Sequence, residues 1–316
     1  MNNWPNPFIE QRADPFILRH LSHYYFIASV PEYDRLEIRR AVTLEGLRDA
    51  EPVVVWRAPQ SGPMSQLIWA PELHEIDGKW YIYFAATHTH DLDALGMFQH
   101  RMFVLECADS DPLTGRWQEK GQVVTPFDTF ALAATTFTHQ GKRWYLWAQK
   151  YPHTEGNSTL YLAEMANPWT LKGEPVMLSK PEFDWECRGF KVNEGPAVLM
   201  HGDKLFISYS ASATDENYCM GLLWIDRQAD PLQPANWHKA PQPVFRTSYE
   251  NRQYGPGHNS FTQTPEGEDV LVYHARNYTE IEGDPLYDPN RHTRLKLVSW
   301  REDGMPDFGI PPADTL

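Results

Sequence analysis

An all-β fold, a five-bladed propeller of four-stranded antiparallel blades around a central channel, is predicted by three features of the 316-residue sequence. Aromatic residues make up 13% of the chain and 26 prolines accompany them, a mixture that suits short strands and turns better than long helices. One pattern recurs five times: a short apolar strand, a polar turn usually carrying Gly, then an aromatic strand. Successive copies begin 56, 63, 61 and 64 residues apart, which leaves room for two more strands after each hairpin.

The copies follow in order. The first, DPFILRHLSHYYFIAS, starts at Asp14. The second, APELHEIDGKWYIYFAA, starts at Ala70 and is followed by the strand candidate RMFVLECA at 101–108. The third, AATTFTHQGKRWYLWAQ from Ala133, precedes STLYLAEMA at 158–166. The fourth, EGPAVLMHGDKLFISYSAS from Glu194, precedes CMGLLWIDR at 219–227, and the fifth, HNSFTQTPEGEDVLVYHA, starts at His258. The turns HEIDGK, THQGK and MHGDK supply hairpin chemistry. Segment 283–316 contains RLKLVSW and is expected to close the ring against blade one or blade five. A β-sandwich with coincidental spacing is the competing arrangement. No Gly/Ser tract or long charge run marks a linker, so residues 1–316 read as one domain.

The net charge of −14, with no Lys/Arg cluster longer than a pair, leaves no footprint for nucleic acid or an anionic membrane. Cys107, Cys187 and Cys219 are odd in number and lack C-x-x-C spacing, so they are expected to fill the core rather than form disulfides or bind zinc. The N-terminus shows no basic stretch leading into an apolar one, and no apolar run reaches the ~20 residues of a spanning helix. The expectation is a cytoplasmic protein acting on molecules small enough to be imported. Oligomeric state is not legible.

In a propeller the inner strands flank the channel, so equivalent positions of the repeats converge. Those positions are Asp14, Ala70, Ala133, Glu194 and His258. An Asp before Pro also organises turns, and a Glu before Gly-Pro suits a strand entrance. Their shared repeat position favours chemistry instead, because two carboxylates in different environments are what glycoside hydrolysis uses. Glu194 is the better acid, since the mostly apolar VNEGPAVL disfavours its charged form.

Several separate motifs, DPF, IWAPELHEIDGKWYIYFAA, VNEGPAVL, GPGHNSF and RHTRLKLVSW with DGMPDFGIP, resemble glycoside hydrolase family 43 over nearly the whole chain. The resemblance implies a five-bladed propeller and inverting hydrolysis of arabinose- or xylose-containing glycosides, with Asp14 as general base and Glu194 as general acid. Inversion needs the two carboxyls ~6.5–9.5 Å apart. The family carries a third carboxylate, which raises the pKa of the acid, in a segment resembling F-x-L-D-A-T-x-F. Here residues 130–137 read FALAATTF, and Ala133 stands at the Asp position. Three readings are open: a substitution made to trap substrate, a natural loss of activity, or a misalignment in which another acid such as Asp128 serves.

The resemblance also makes Trp69 a sugar-stacking pocket wall, although a core Trp is an equal alternative. Glu72 would bind a sugar hydroxyl or pair with a neighbouring blade. Arg291 would reach the sugar pocket, the alternative being an exposed loop cation paired with Asp288; Arg294 is the weaker candidate. His258 would help hold, through waters, a structural calcium or similar ion in the channel, or would be a hydrogen-bonded structural histidine. No cofactor is required for the chemistry. The loop 88–101, with three His and two Asp, is expected to shape the pocket rather than bind metal, and Trp185 and Glu186 to line the entrance or begin a strand. The function expected is exo-α-L-arabinofuranosidase, weakened by Ala133, with β-xylosidase or a dual enzyme as the competitor and a non-catalytic carbohydrate-binding propeller as a further alternative.

Overall fold

The aromatic strand of each repeat is the second of its blade, and it is apolar on both faces because blades stack against it from both sides. Thus in KWYIYFAAT only Lys79 is exposed. Its Tyr81 and Tyr83 pack with Tyr145 and Trp147 of the next blade, while Ile82 and Phe84 pack with Ile27 and Leu36 of the previous one. The computed structural model describes residues 4–315, and the five-bladed propeller is the fold found.

Blade one comprises β1 (Ala13–His20), β2 (His23–Ser29), β3 (Arg35–Ala41) and β4 (Val53–Arg57), paired in that order. Blade two repeats this with β5 (Gln66–Ile76), β6 (Lys79–Thr87), β7 (Arg101–Cys107) and β8 (Trp117–Gln122). Blade three holds β9 (Ala131–His139), β10 (Lys142–Gln149), β11 (Thr159–Asn167) and β12 (Thr170–Ser179). Blade four holds β13 (Asn193–His201), β14 (Lys204–Ala211), β15 (Cys219–Asp226) and the short β16 (His238–Lys239). Blade five has β17 (Tyr254–Gln263), β18 (Asp269–Arg276) and β19 (His292–Leu297), followed by a ribbon of β20 (Ser299–Trp300) and β21 (Pro306–Asp307).

The fourth strand of blade five comes from the other end of the chain. Phe8 N donates to Thr293 O at 2.8 Å and Thr293 N to Ile9 O at 2.9 Å, so the N-terminal segment pairs with β19 and closes the ring. Segment 283–316 therefore takes part in closure as expected. Asn6 and Thr315 exchange two further bonds, 2.9 Å to the threonine hydroxyl and 2.8 Å back to Asn6 O. Trp4, Phe8 and Ile9 are buried in the cluster that joins blades five and one.

Every inner strand carries a bulge. Two residues stand opposite one at 14–15, 70–71, 133–134, 195–196 and 258–259, and the first of each pair is left-handed: Asp14 (φ 54°), Ala70 (46°), Ala133 (52°), Gly195 (57°) and His258 (42°). The equivalence expected for Glu194 is thus corrected by one residue: Gly195 occupies the bulge position and Glu194 precedes it. Across three seams the amide of the bulge residue is accepted by a side chain from the second strand of the preceding blade. Ala70 N bonds Ser29 Oγ at 2.7 Å, His258 N bonds Ser210 Oγ at 2.7 Å, and Asp14 N bonds His274 Nδ1 at 3.0 Å. Cys107 and Cys219 are buried as expected, but Cys187 is only half-buried, and all three are free thiols.

Truncating Phe8 to Ala, at 2% exposure in the closing seam, is expected to cost ~3–5 kcal/mol in equilibrium denaturation. A loss below ~1 kcal/mol would mean that the N-terminal segment is not needed to close the ring.

Candidate active site

At the first bulge, the left-handed backbone turns Asp14 toward one end of the channel. Its Oδ2 accepts from Ser29 Oγ at 2.6 Å, and Oδ1 lies 3.2 Å from His258 Nδ1 and 3.8 Å from Arg291 Nη1. Burial alone would raise the pKa of this carboxyl, yet His258, Arg291 and the Ser29 hydroxyl outweigh it and hold it at about 2. His274, fully buried, is kept neutral by desolvation, with Arg291 nearby adding to the effect. Its Nδ1 accepts the Asp14 amide, which requires the proton to sit on Nε2.

Glu194 faces the same cavity from β13. Gly195, which has no Cβ, lets the His258 ring approach; an added Cβ would stand 3.1 Å from His258 Cγ. Tyr218 donates to Glu194 Oε1 at 2.8 Å. Burial raises the pKa of Glu194 and the Asp14 charge adds to it, while His258 and the Tyr218 hydroxyl oppose; the net shift is upward. The two carboxyls therefore have opposite tendencies, Asp14 toward the charged form and Glu194 toward the neutral one.

The cavity, about 260 Å³, is lined by both carboxyls, His258 and Arg291 on one side and by Trp69, Met97, Phe98, Phe130 and Leu132 on the other. Trp69 is stacked on His100, with ring centroids 3.6 Å apart and planes at 16°. His100, buried and with a pKa driven down to about 3 by desolvation, bonds Leu67 O through Nε2 at 2.8 Å. The loop 88–101 thus helps form the pocket wall through Leu92, Gly96, Met97 and Phe98. Arg291 donates to Tyr33 at 2.8 Å. The alternative pairing with Asp288 does not occur: Asp288 binds Arg276 at 3.0 Å and Tyr278. Arg294 is buried elsewhere against Asp314.

Not every expected residue comes together. Glu72 is corrected: it bonds His74 at 2.9 Å and lines a groove with Phe137 and Arg143 rather than the cavity. Two residues past the bulge is ~6.6 Å further along the strand, toward the opposite end of the channel. Asp128 is 94% exposed and held by Arg101 at 2.8 Å, so the misalignment reading loses its substitute acid. Ala133 is buried and shares the left-handed bulge position of Asp14. Around His258 the side chains do not form a direct ligand set for a cation. Its Nδ1 faces Asp14, Arg291 approaches the same carboxylate oxygen, and among the described residues no group of three His, Cys, Asp or Glu side chains could hold a metal ion. Glu186 is fully buried and receives Asn193, Tyr209 and Lys239, a structural node rather than an entrance residue. Trp185 lines a surface groove instead.

Tyr218, His274, Ser29 and Tyr33 were not anticipated. Three polar acceptors, Ser29, Ser210 and His274, share one register position near the end of the aromatic strand, and aligning YYFIAS, FISYSAS and VLVYHA would have found them. Tyr218 lies between strands and has no repeat signature.

Two carboxyls whose pKa values are pushed in opposite directions, held at one end of a propeller channel, have the layout of an acid–base glycoside hydrolase. The chain belongs to glycosyl hydrolases family 43, whose model matches residues 4–306. It is 55% identical, over 98% of its length, to an extracellular exo-α-(1→5)-L-arabinofuranosidase of Streptomyces avermitilis, of which it covers 64%. A protein of the same name from Streptomyces chartreusis is 53% identical over 89% of the chain and 85% of the relative. The crystal structure of an α-L-arabinofuranosidase from Lactobacillus brevis superposes with a TM-score of 0.98 at 58% identity, covering 99% of this chain and 98% of that one. The cytoplasmic expectation is corrected by these relatives, two of which are named as extracellular proteins.

Glu194→Gln is expected to stabilise the fold at neutral pH. A carboxyl whose folded pKa lies above its unfolded value of 4.5 loses stability as pH rises through that interval. Denaturation midpoints of the two chains should therefore coincide near pH 4 and separate above it; a constant difference would contradict the upward shift.

Proposed function

We propose that this chain is an exo-acting α-L-arabinofuranosidase that removes terminal arabinose from arabinose-containing oligosaccharides by single displacement with inversion. The observation that carries this reading is that Asp14 and Glu194 line one cavity, with surroundings that push their pKa values in opposite directions. Asp14, ionised at any working pH, takes a proton from water as the water oxygen bonds to the anomeric carbon. Glu194, whose protonated form burial favours, gives its proton to the departing glycosidic oxygen as the anomeric bond breaks. Arg291, Tyr33 and the face of Trp69 would orient the sugar. At about 260 Å³ the cavity is smaller than the ~300–1,000 Å³ typical of sites for drug-sized ligands, which favours a single terminal ring over an internal stretch of polymer. The names of the similar proteins support arabinose over xylose.

Ala133 is proposed as the position of a missing third carboxylate. Its support is the shared bulge: Asp14 shows that an Asp fits the left-handed conformation that Ala133 adopts (φ 54° and 52°). Like-charge repulsion from an Asp at 133 would raise the pKa of Glu194 further, so its absence leaves less of the acid protonated near neutral pH.

Hydrolysis of 4-nitrophenyl α-L-arabinofuranoside and β-D-xylopyranoside should show slow release from the first and less from the second. On an arabinobioside, whose poor leaving group needs the acid's proton, Ala133→Asp should raise turnover ~10²-fold or more, and adding Asp14→Asn should abolish the gain. An Ala133→Asp rate equal to that of the present chain would sink the assignment of position 133. Faster xyloside cleavage would sink the arabinose reading.

A further inference from the structure

Glu194 has two oxygens, and the surroundings treat them differently. Oε1 accepts the Tyr218 hydroxyl proton at 2.8 Å. Tyr218 is 1% exposed, and its own ionisation is pushed far up by burial and by the adjacent Glu194 and Asp14, so it acts as a neutral donor. Its ring is fixed on two sides. It lies parallel to His274, centroids 5.7 Å apart at 13°. Gly257 leaves the space it fills: a Cβ there would stand 2.6 Å from the ring. His274 in turn accepts the Asp14 amide, so one pair of stacked rings braces both carboxyl-bearing strands.

We infer that Tyr218 is the positioning residue of the acid: by donating to Oε1 it confines the transferable proton of Glu194 to Oε2 and orients that oxygen into the cavity. The inference rests on the role proposed above for Glu194. When Glu194 is protonated, Oε1 is occupied as an acceptor and the proton resides on Oε2. As that proton passes to the glycosidic oxygen and the anomeric bond breaks, negative charge appears on the carboxyl, and the Tyr218 bond strengthens to meet it. The hydroxyl thereby favours the product side of the transfer. Its benefit is largest where the leaving group needs a full proton. The other groups acting on Glu194 are His258 from β17, Asp14 from β1 and Arg291 from the segment before β19, and all three are left in place by removal of the hydroxyl.

Tyr218→Phe keeps the stacked ring and deletes only the donor. Two readouts follow. The first needs no turnover: the stability difference between chains with Glu194 and with Glu194→Gln, followed against pH, should level off at a higher pH in the Tyr218→Phe background, because loss of a bond to the carboxylate raises the pKa of Glu194. The second compares substrates: an arabinobioside, with a poor leaving group, should lose about tenfold more in kcat than 4-nitrophenyl α-L-arabinofuranoside, which needs little protonation. An unmoved Glu194 titration overturns the inference, as does an equal loss of kcat on both substrates. A moved titration in a chain that cleaves no glycoside would sustain the Tyr218–Glu194 coupling and count against the hydrolase reading alone.

Discussion

The left-handed bulge in every inner strand is the constraint on which the channel depends. Four of the five bulge residues are not glycine, and such residues pay of order 1–2 kcal/mol each for that conformation. Packing between blades over-determines it, and three seams add a side-chain acceptor for the bulge amide, from Ser29, Ser210 and His274. At the two seams into blades three and four, the corresponding positions are Ala85 and Ala148, which offer no acceptor. The polar seams flank blades one and five and bear on Asp14 and His258; the apolar ones flank Ala133 and Gly195. The asymmetry of the site is thus already present in the second strands.

The second constraint is the way one cluster serves two carboxyls differently. His258 lies beside both, and Arg291 reaches Asp14 at 3.8 Å. Asp14 collects the Ser29 hydroxyl as well and ends up charged. Glu194 has Tyr218 as its single side-chain hydrogen-bond donor among the described residues, too little to offset burial. A strongly held carboxylate is a weak base, so the low pKa of Asp14 exchanges basicity for a fixed orientation and constant ionisation.

Much of this was legible in the sequence because it is periodic. The five hairpins, the ring and the convergence of Asp14, Glu194 and His258 follow from spacing alone, and Trp69 and Arg291 from resemblance. Glu72 was misplaced because the repeat fixes angular position around the channel but not height along it, and two residues move a side chain toward the other end. The offset of Glu194 was available in the motif itself, since EGP supplies a glycine for the left-handed position. Tyr218 was invisible because it sits in an irregular connection and acts through tertiary contact. The closure of blade five by residues near the N-terminus was likewise hidden, since isolated bridges such as Ile9 with Thr293 carry no strand pattern.

That closure makes the backbone almost a loop. Asn6 and Thr315 are hydrogen-bonded neighbours, so the two ends of the described chain meet at one spot on the rim of blade five. Where the polypeptide begins is then nearly arbitrary for the architecture: a linker of a few residues across that spot, with the chain opened at an exposed hairpin turn such as the one at Gly202, would preserve each blade intact. Anything fused to either end would leave the propeller from the same place.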